Sequence, residues 1–146
     1  MNADREAPSV QVEPSGGPRV RGSRELDEAR ALELLGGTGV GRVVYTVGAL
    51  PAVLPVRFRL DAAGGVLLSA PAGSELARAV DGAVIAFEAD EVDGADGTGW
   101  CVTVLGRAEV RRAEARHPGR EPDAGRVEIR IGPELVVGRS LTADPV

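Results

Sequence analysis

The chain has 146 residues, a net charge of −5, 43% hydrophobic residues and only 3% aromatic ones, which is one domain's worth of chain with a core to be built from Val, Leu, Ile and Ala. The acidic balance argues against nucleic acid as a partner, because neutralising phosphates takes a basic face. No apolar run reaches the roughly 18 residues of a membrane span, and the N-terminus lacks the apolar stretch of a signal peptide, so the expected compartment is the cytoplasm. The single cysteine, Cys101, leaves no internal disulfide and no cysteine-based metal cluster. All 17 basic residues are arginine, so Schiff-base chemistry through a lysine amine is excluded.

Residues 1–22 mix Pro, Gly and charge without any period and read as a disordered tail, followed by one domain over 23–142 and a short tail at 143–146. The stretch LDEARALELLGG reads as a helix. Asp27 can cap its first turn, Leu26 can staple onto Ala31, Ala31, Leu32 and Leu35 face inward, and Gly36 and Gly37 stop it. VGRVVYTV (40–47) is a β-branched strand, and Gly48 to Pro51 form a turn. AVLPVRFRL (52–60) alternates, with Leu54, Val56, Phe58 and Leu60 on one face and Val53, Pro55, Arg57 and Arg59 on the other. Pro55 has no amide to donate, which predicts an edge or a bulge there. After the turn DAAGG, VLLSA (66–70) is a third strand.

PAGSELARAVDG then changes period. Ser74 can cap a short helix with Leu76, Ala79 and Val80 inside. AVIAFEAD (83–90) returns to strand, EVDGADGTG (91–99) is an acidic hairpin loop, and WCVTVLGRAEVR (100–111) is a long strand, apolar on both faces at its start. That double face predicts a cover outside the barrel, a second subunit being one. AEARHPGREPDAG (113–125) is a polar connector. RVEIRI (126–131) alternates strictly, and GPELVVGRSLTADPV ends the chain as a short extended segment and a tail. Six strands and two short helices, with turn signals at roughly ten-residue spacing, predict a mainly β barrel or sandwich. A doubly wound α/β fold would need more helices between strands.

The order of these segments carries more information than any single motif. A helix, a meander, a Gly-Ser turn into a short helix, a strand ending in Phe-Glu and a G-W-x-V-x-V-x-G-x-A strand together resemble the flavin-binding split barrels of the pyridoxamine 5′-phosphate oxidase family. The nearest likeness is to the subgroup similar to nitroimidazole-resistance reductases. VGRVVYTVGALPAVLPVRFRL, VLLSAPAGSELARAV, AVIAFEADEVD and GWCVTVLGRAEV carry the likeness, and RVEIRIGPELVVGR fits its closing strands. The resemblance implies a six-stranded split β-barrel with a short N-terminal helix and a second short helix after the third strand.

It also implies a set of cofactor contacts for FMN, with deazaflavin or heme as alternatives within the fold. The backbone of Val53, Leu54, Pro55, Val56 and Arg57 would lie along the flavin ring. Leu68, Ser69 and Ala70, with the turn Gly73, Ser74 and Glu75, would hold the ribityl chain and phosphate. Trp100 and Cys101 would approach the flavin, often from the second subunit of a homodimer. The family commonly has a basic residue at the position of Glu75, and this chain departs from that pattern. On charge alone, Ser74 and the amides of 74–77 make an anion seat, which Glu75 opposes and which Arg42, Arg57, Arg59 and Arg78 can offset.

Several residues keep two readings. Arg57 and Arg59 suit a phosphate or a solvated or interface face equally. Trp100 suits core or dimer packing as well as flavin contact. Cys101 has no basic neighbour in sequence and reads as a structural thiol before a reactive one. A single His117 gives no support to a catalytic triad or a zinc site, and Asp90, Glu91, Asp93 and Asp96 lack calcium-loop spacing, so no metal is expected. Three functions follow: an FMN-dependent oxidoreductase acting as a homodimer on a small molecule, a deazaflavin- or heme-binding relative, and a cofactor-free binding module. No general acid or base stands out, and neither substrate nor reaction direction is legible.

Overall fold

A computed structural model describes residues 23–113 and 125–143. The tail expected at 1–22, residues 144–146 of the tail expected at 143–146, and most of the polar connector with His117 lie outside the described residues. The elements are β1 (Ser23–Leu26), α1 (Glu28–Gly36), β2 (Val40–Val47), β3 (Leu50–Arg57), β4 (Arg59–Leu60), β5 (Val66–Pro71), α2 (Glu75–Val80), β6 (Val84–Val92), β7 (Gly99–Arg112), β8 (Arg126–Ile131) and β9 (Leu135–Leu141). The chain is mainly β, and every strand pairing is antiparallel.

The strand β7 is the spine. It pairs with β6 along Gly99–Arg107, with β9 along Gly99–Leu105, and with β8 along Ala108–Arg112. One sheet runs β3-β2-β6-β7-β9-β1 and the other β7-β8-β5-β4. The change of neighbour happens at Gly106, where a Cβ would run into the Gly132 carbonyl of the β8–β9 connection. Only glycine lets that connection cross so closely, and the crossing parts the two sheets. At the far side β3 approaches β5 without a ladder, so the barrel stays open there: it is a split barrel.

Nine strands are present among the described residues, not the six expected. Residues 52–60 divide at Phe58, whose amide donates to the Gly39 carbonyl (3.1 Å), so that Arg59 and Leu60 join the second sheet. The period of two survives the bend, because alternation records faces and says nothing about which partner a residue pairs with. The final extended segment is a full strand, β9, and residues 23–26 form β1 on its outer edge. The strand β3 pairs only with β2 among the described strands, consistent with the edge that Pro55 predicts.

Both helices begin where their caps place them. The Asp27 carboxylate accepts from the Arg30 amide (2.7 Å) and the Ser74 hydroxyl from the Ala77 amide (3.2 Å). Helix α1 buries Ala31 and Leu35 against β9, where Gly138 leaves room: a Cβ there would lie 2.7 Å from the Ala31 methyl. Helix α2 buries Leu76, Ala77 and Val80. The core is aliphatic around one aromatic pair. Phe87 is fully buried, and Phe58 meets it edge to face at 4.6 Å. Phe87 shares a rung with Val43 and Val104, and Val66, Leu68, Ile129 and Ile131 close the core from the second sheet.

The other face of the first sheet has no cover among the described residues. Val53, Val44, Ala86, Leu105 and Leu135 form one continuous cross-strand row there. Its ends are open, with Val53 60% and Leu135 52% exposed.

Candidate functional site

The opening between β3 and β5 leaves a hollow of about 260 Å³. Its apolar wall comes from residues that face inward by strand alternation: Leu54 and Val56 on β3 and Tyr45 on β2. The opposite wall is the end of β5 (Ser69, Ala70, Pro71) and the start of α2 (Ser74, Glu75, Leu76). Segments from sequence positions 45 to 76 thus meet at the split.

Six of the residues expected at a cofactor site line this hollow: Leu54, Val56, Ser69, Ala70, Ser74 and Glu75. Val53, Pro55 and Arg57 lie on β3 but alternate to its outer face. Leu68 is buried in the core, and Gly73 sits in the turn with φ of +73°, a conformation that favours glycine. Trp100 and Cys101 do not line the hollow. They lie three strands across and, respectively, four and three residues along from the rung of Leu54, on the order of 20 Å over the sheet surface at roughly 4.8 Å per strand and 3.3 Å per residue. The Trp100 indole donates to Glu91 (3.3 Å). Burial, then the charge of Glu88, pushes the Cys101 thiol up, which favours its protonated form.

A polar cluster centred on β8 stands beside Ser69 of the hollow. Arg126 Nε donates to Ser69 Oγ (2.8 Å). Two residues on, Glu128 is the one buried charged side chain among the described residues, at 7% exposure. It is registered opposite Ser69 and is held by Arg59 (2.9 Å) and Arg111 (2.8 Å). Two guanidiniums on one carboxylate leave this cluster net positive, while the charged residue that lines the hollow itself is Glu75. Tyr45, Pro71, Leu76 and Arg126 were not foreseen. Arg126 is 57 residues from Ser69 in sequence, and nothing local to either residue signals their contact.

A second polar cluster sits on the open face of the first sheet. Arg42 Nη1 reaches both Glu88 (3.4 Å) and Asp90 (3.1 Å). Burial and the neighbouring Asp90 carboxylate, opposed by Arg42, push Glu88 up to about 7. Asp90, Cys101 and Arg139 form one cross-strand row beside it. No group of His, Cys, Asp and Glu among the described residues can hold a metal ion. No helix among them is long and apolar enough to cross a membrane.

Comparison with known proteins gives three findings. The family model for pyridoxamine 5′-phosphate oxidase matches residues 27–127. An uncharacterized protein of Mycobacterium tuberculosis, Rv0080, is 35% identical over 132 residues, covering 82% of this chain and 86% of that protein. Among solved structures, the FAD binding protein from Mycobacterium smegmatis is 28% identical with a TM-score of 0.66, covering 82% of this chain and 98% of that one. The FAD and heme binding protein from the same organism shares the fold, with a TM-score of 0.65 at 18% identity over 86% of this chain and 77% of that one.

Proposed function

The chain belongs to the pyridoxamine 5′-phosphate oxidase family, and from that membership we propose that it is a flavin-binding oxidoreductase, with FMN seated in the hollow at the split and a homodimer as the working form. One observation carries this reading: the hollow joins an apolar wall to Ser69, on which the Arg126 guanidinium is anchored, and an apolar surface beside a cation is the pairing that a planar apolar ring with a phosphate tail requires. Leu54, Val56 and Tyr45 would exclude water from the ring, and the β3 backbone at 53–57 would lie alongside it. Ser69, Ala70 and the turn at Gly73, Ser74 and Glu75 would face the tail. A bound flavin supplies the hydride or electron transfer; this chain's residues supply position and electrostatics.

Two features support the homodimer. The hollow, at about 260 Å³, is below the roughly 300–1,000 Å³ of a complete small-molecule site, so a second copy has a wall to contribute. Trp100 and Cys101, remote from the hollow of their own protomer, would serve that role from the partner. The uncovered apolar row from Val53 to Leu135 is the surface that such a partner would bury.

Two further readings each have an observation in favour. The FAD binding relative from Mycobacterium smegmatis supports a dinucleotide flavin in the same hollow. Glu75, a carboxylate on the hollow's rim, supports a cofactor-free binding module. Visible absorbance of the purified protein, with extraction and identification of any chromophore, decides among them. A flavin spectrum, or quenching of added FMN fluorescence, supports the proposal. A colourless protein that quenches neither FMN nor FAD refutes it and leaves the binding module.

A further inference from the structure

A ligand with an anionic tail needs a cation beside the hollow, and the turn that bounds it supplies none. Gly73, Ser74 and Glu75 offer one hydroxyl and one negative charge. The Ser74 hydroxyl oxygen accepts from the Ala77 amide, and α2 is only six residues long. Of the arginines nearby, Arg59 and Arg111 are both committed to Glu128. Arg126 is different. It opens β8 opposite Pro71, the residue where β5 runs into the turn. Its guanidinium is anchored through Nε to Ser69, a residue that lines the hollow. No carboxylate among the described residues pairs with it, and it is exposed. Among the described residues one of its five N–H donors is used, and the guanidinium stands exposed beside a residue that lines the hollow.

We propose that Arg126 supplies the counter-charge for the phosphate of the bound flavin from β8, in place of a basic residue in the turn. The inference rests on the flavin-binding reading. Anchoring by Ser69 fixes the guanidinium before the ligand arrives, so less side-chain freedom is lost on binding than for an unrestrained arginine. The negative charge of Glu75 is then tolerated, because the phosphate is drawn toward β8 and away from the first turn of α2. Ser69 thereby acts as a positioning residue for Arg126.

The experiment is a pair of titrations with FMN and with riboflavin, which lacks the phosphate, followed by flavin fluorescence quenching on the full chain. Wild type is expected to prefer FMN. Arg126→Ala is expected to lose roughly ten- to a hundred-fold in FMN affinity, the usual scale for a charged hydrogen bond, with riboflavin affinity unchanged. Arg126→Lys should retain most of the preference, and Glu75→Lys added to Arg126→Ala should restore it by moving the charge to the turn. An unchanged FMN-over-riboflavin ratio in Arg126→Ala, or no preference in wild type, overturns this inference while leaving flavin binding standing. Failure of wild type to bind either flavin overturns both. Equal melting temperatures of wild type and Arg126→Ala show that an affinity change is not a folding change.

Discussion

Replacing Glu88 with Gln should remove a penalty that wild type carries above mildly acidic pH. Glu88 shares a single guanidinium with Asp90, on a carboxylate only 26% exposed. Burial and the Asp90 charge raise it from 4.5 to about 7 in the folded chain. The folded state therefore holds this proton more tightly than the unfolded chain does. The contribution to stability is full below about pH 4.5 and is lost as the pH rises through about 7. At roughly 1.4 kcal/mol per tenfold change in proton affinity, the full difference is about 3 kcal/mol. Solvent screening of a partly exposed group reduces this to about 1–2 kcal/mol. Urea denaturation of wild type and Glu88→Gln across this range reads the effect of the Glu88–Asp90 pair, because the carboxylates away from that pair titrate alike in both. The variant should match wild type near pH 4.5 and exceed it by about 1–2 kcal/mol above pH 7. Parallel stability curves, or a variant that loses ground as the pH rises, would refute the reasoning.

Two other outcomes follow from the packing. Gly106→Ala drives a methyl into the Gly132 carbonyl where β7 changes partners, and should cost at least about 2 kcal/mol in denaturant unfolding; an unchanged midpoint would mean that the β8–β9 crossing is not held where the structure places it. Val53→Asp puts a charge in the uncovered apolar row; sedimentation should show a dimer for wild type and a mass near 15 kDa for the variant, and a monomeric wild type would sink the homodimer reading.

What was legible in the sequence was whatever neighbouring residues decide among themselves. Asp27 and Ser74 cap their helices through amides three residues on, so both helix starts could be read locally. Alternation in 52–60 and 126–131 gave the right faces, because period two is a property of one extended strand. The ordered segments pointed to the split barrel, and Leu54, Val56, Ser69, Ala70, Ser74 and Glu75 to one wall of the hollow each. The strand count was not legible. Whether residues 52–60 are one strand or two, and whether 135–141 is a strand at all, depends on partners far along the chain. The site's charge was not legible either. The sequence shows a turn with a carboxylate and no base, while the Arg126 guanidinium comes from β8, which only the register of β5 on β8 brings beside Ser69. Nor does strand pattern reveal that Trp100 and Cys101 lie far from the hollow: distance across a sheet is set by strand order, and strand order is a property of the tertiary structure alone.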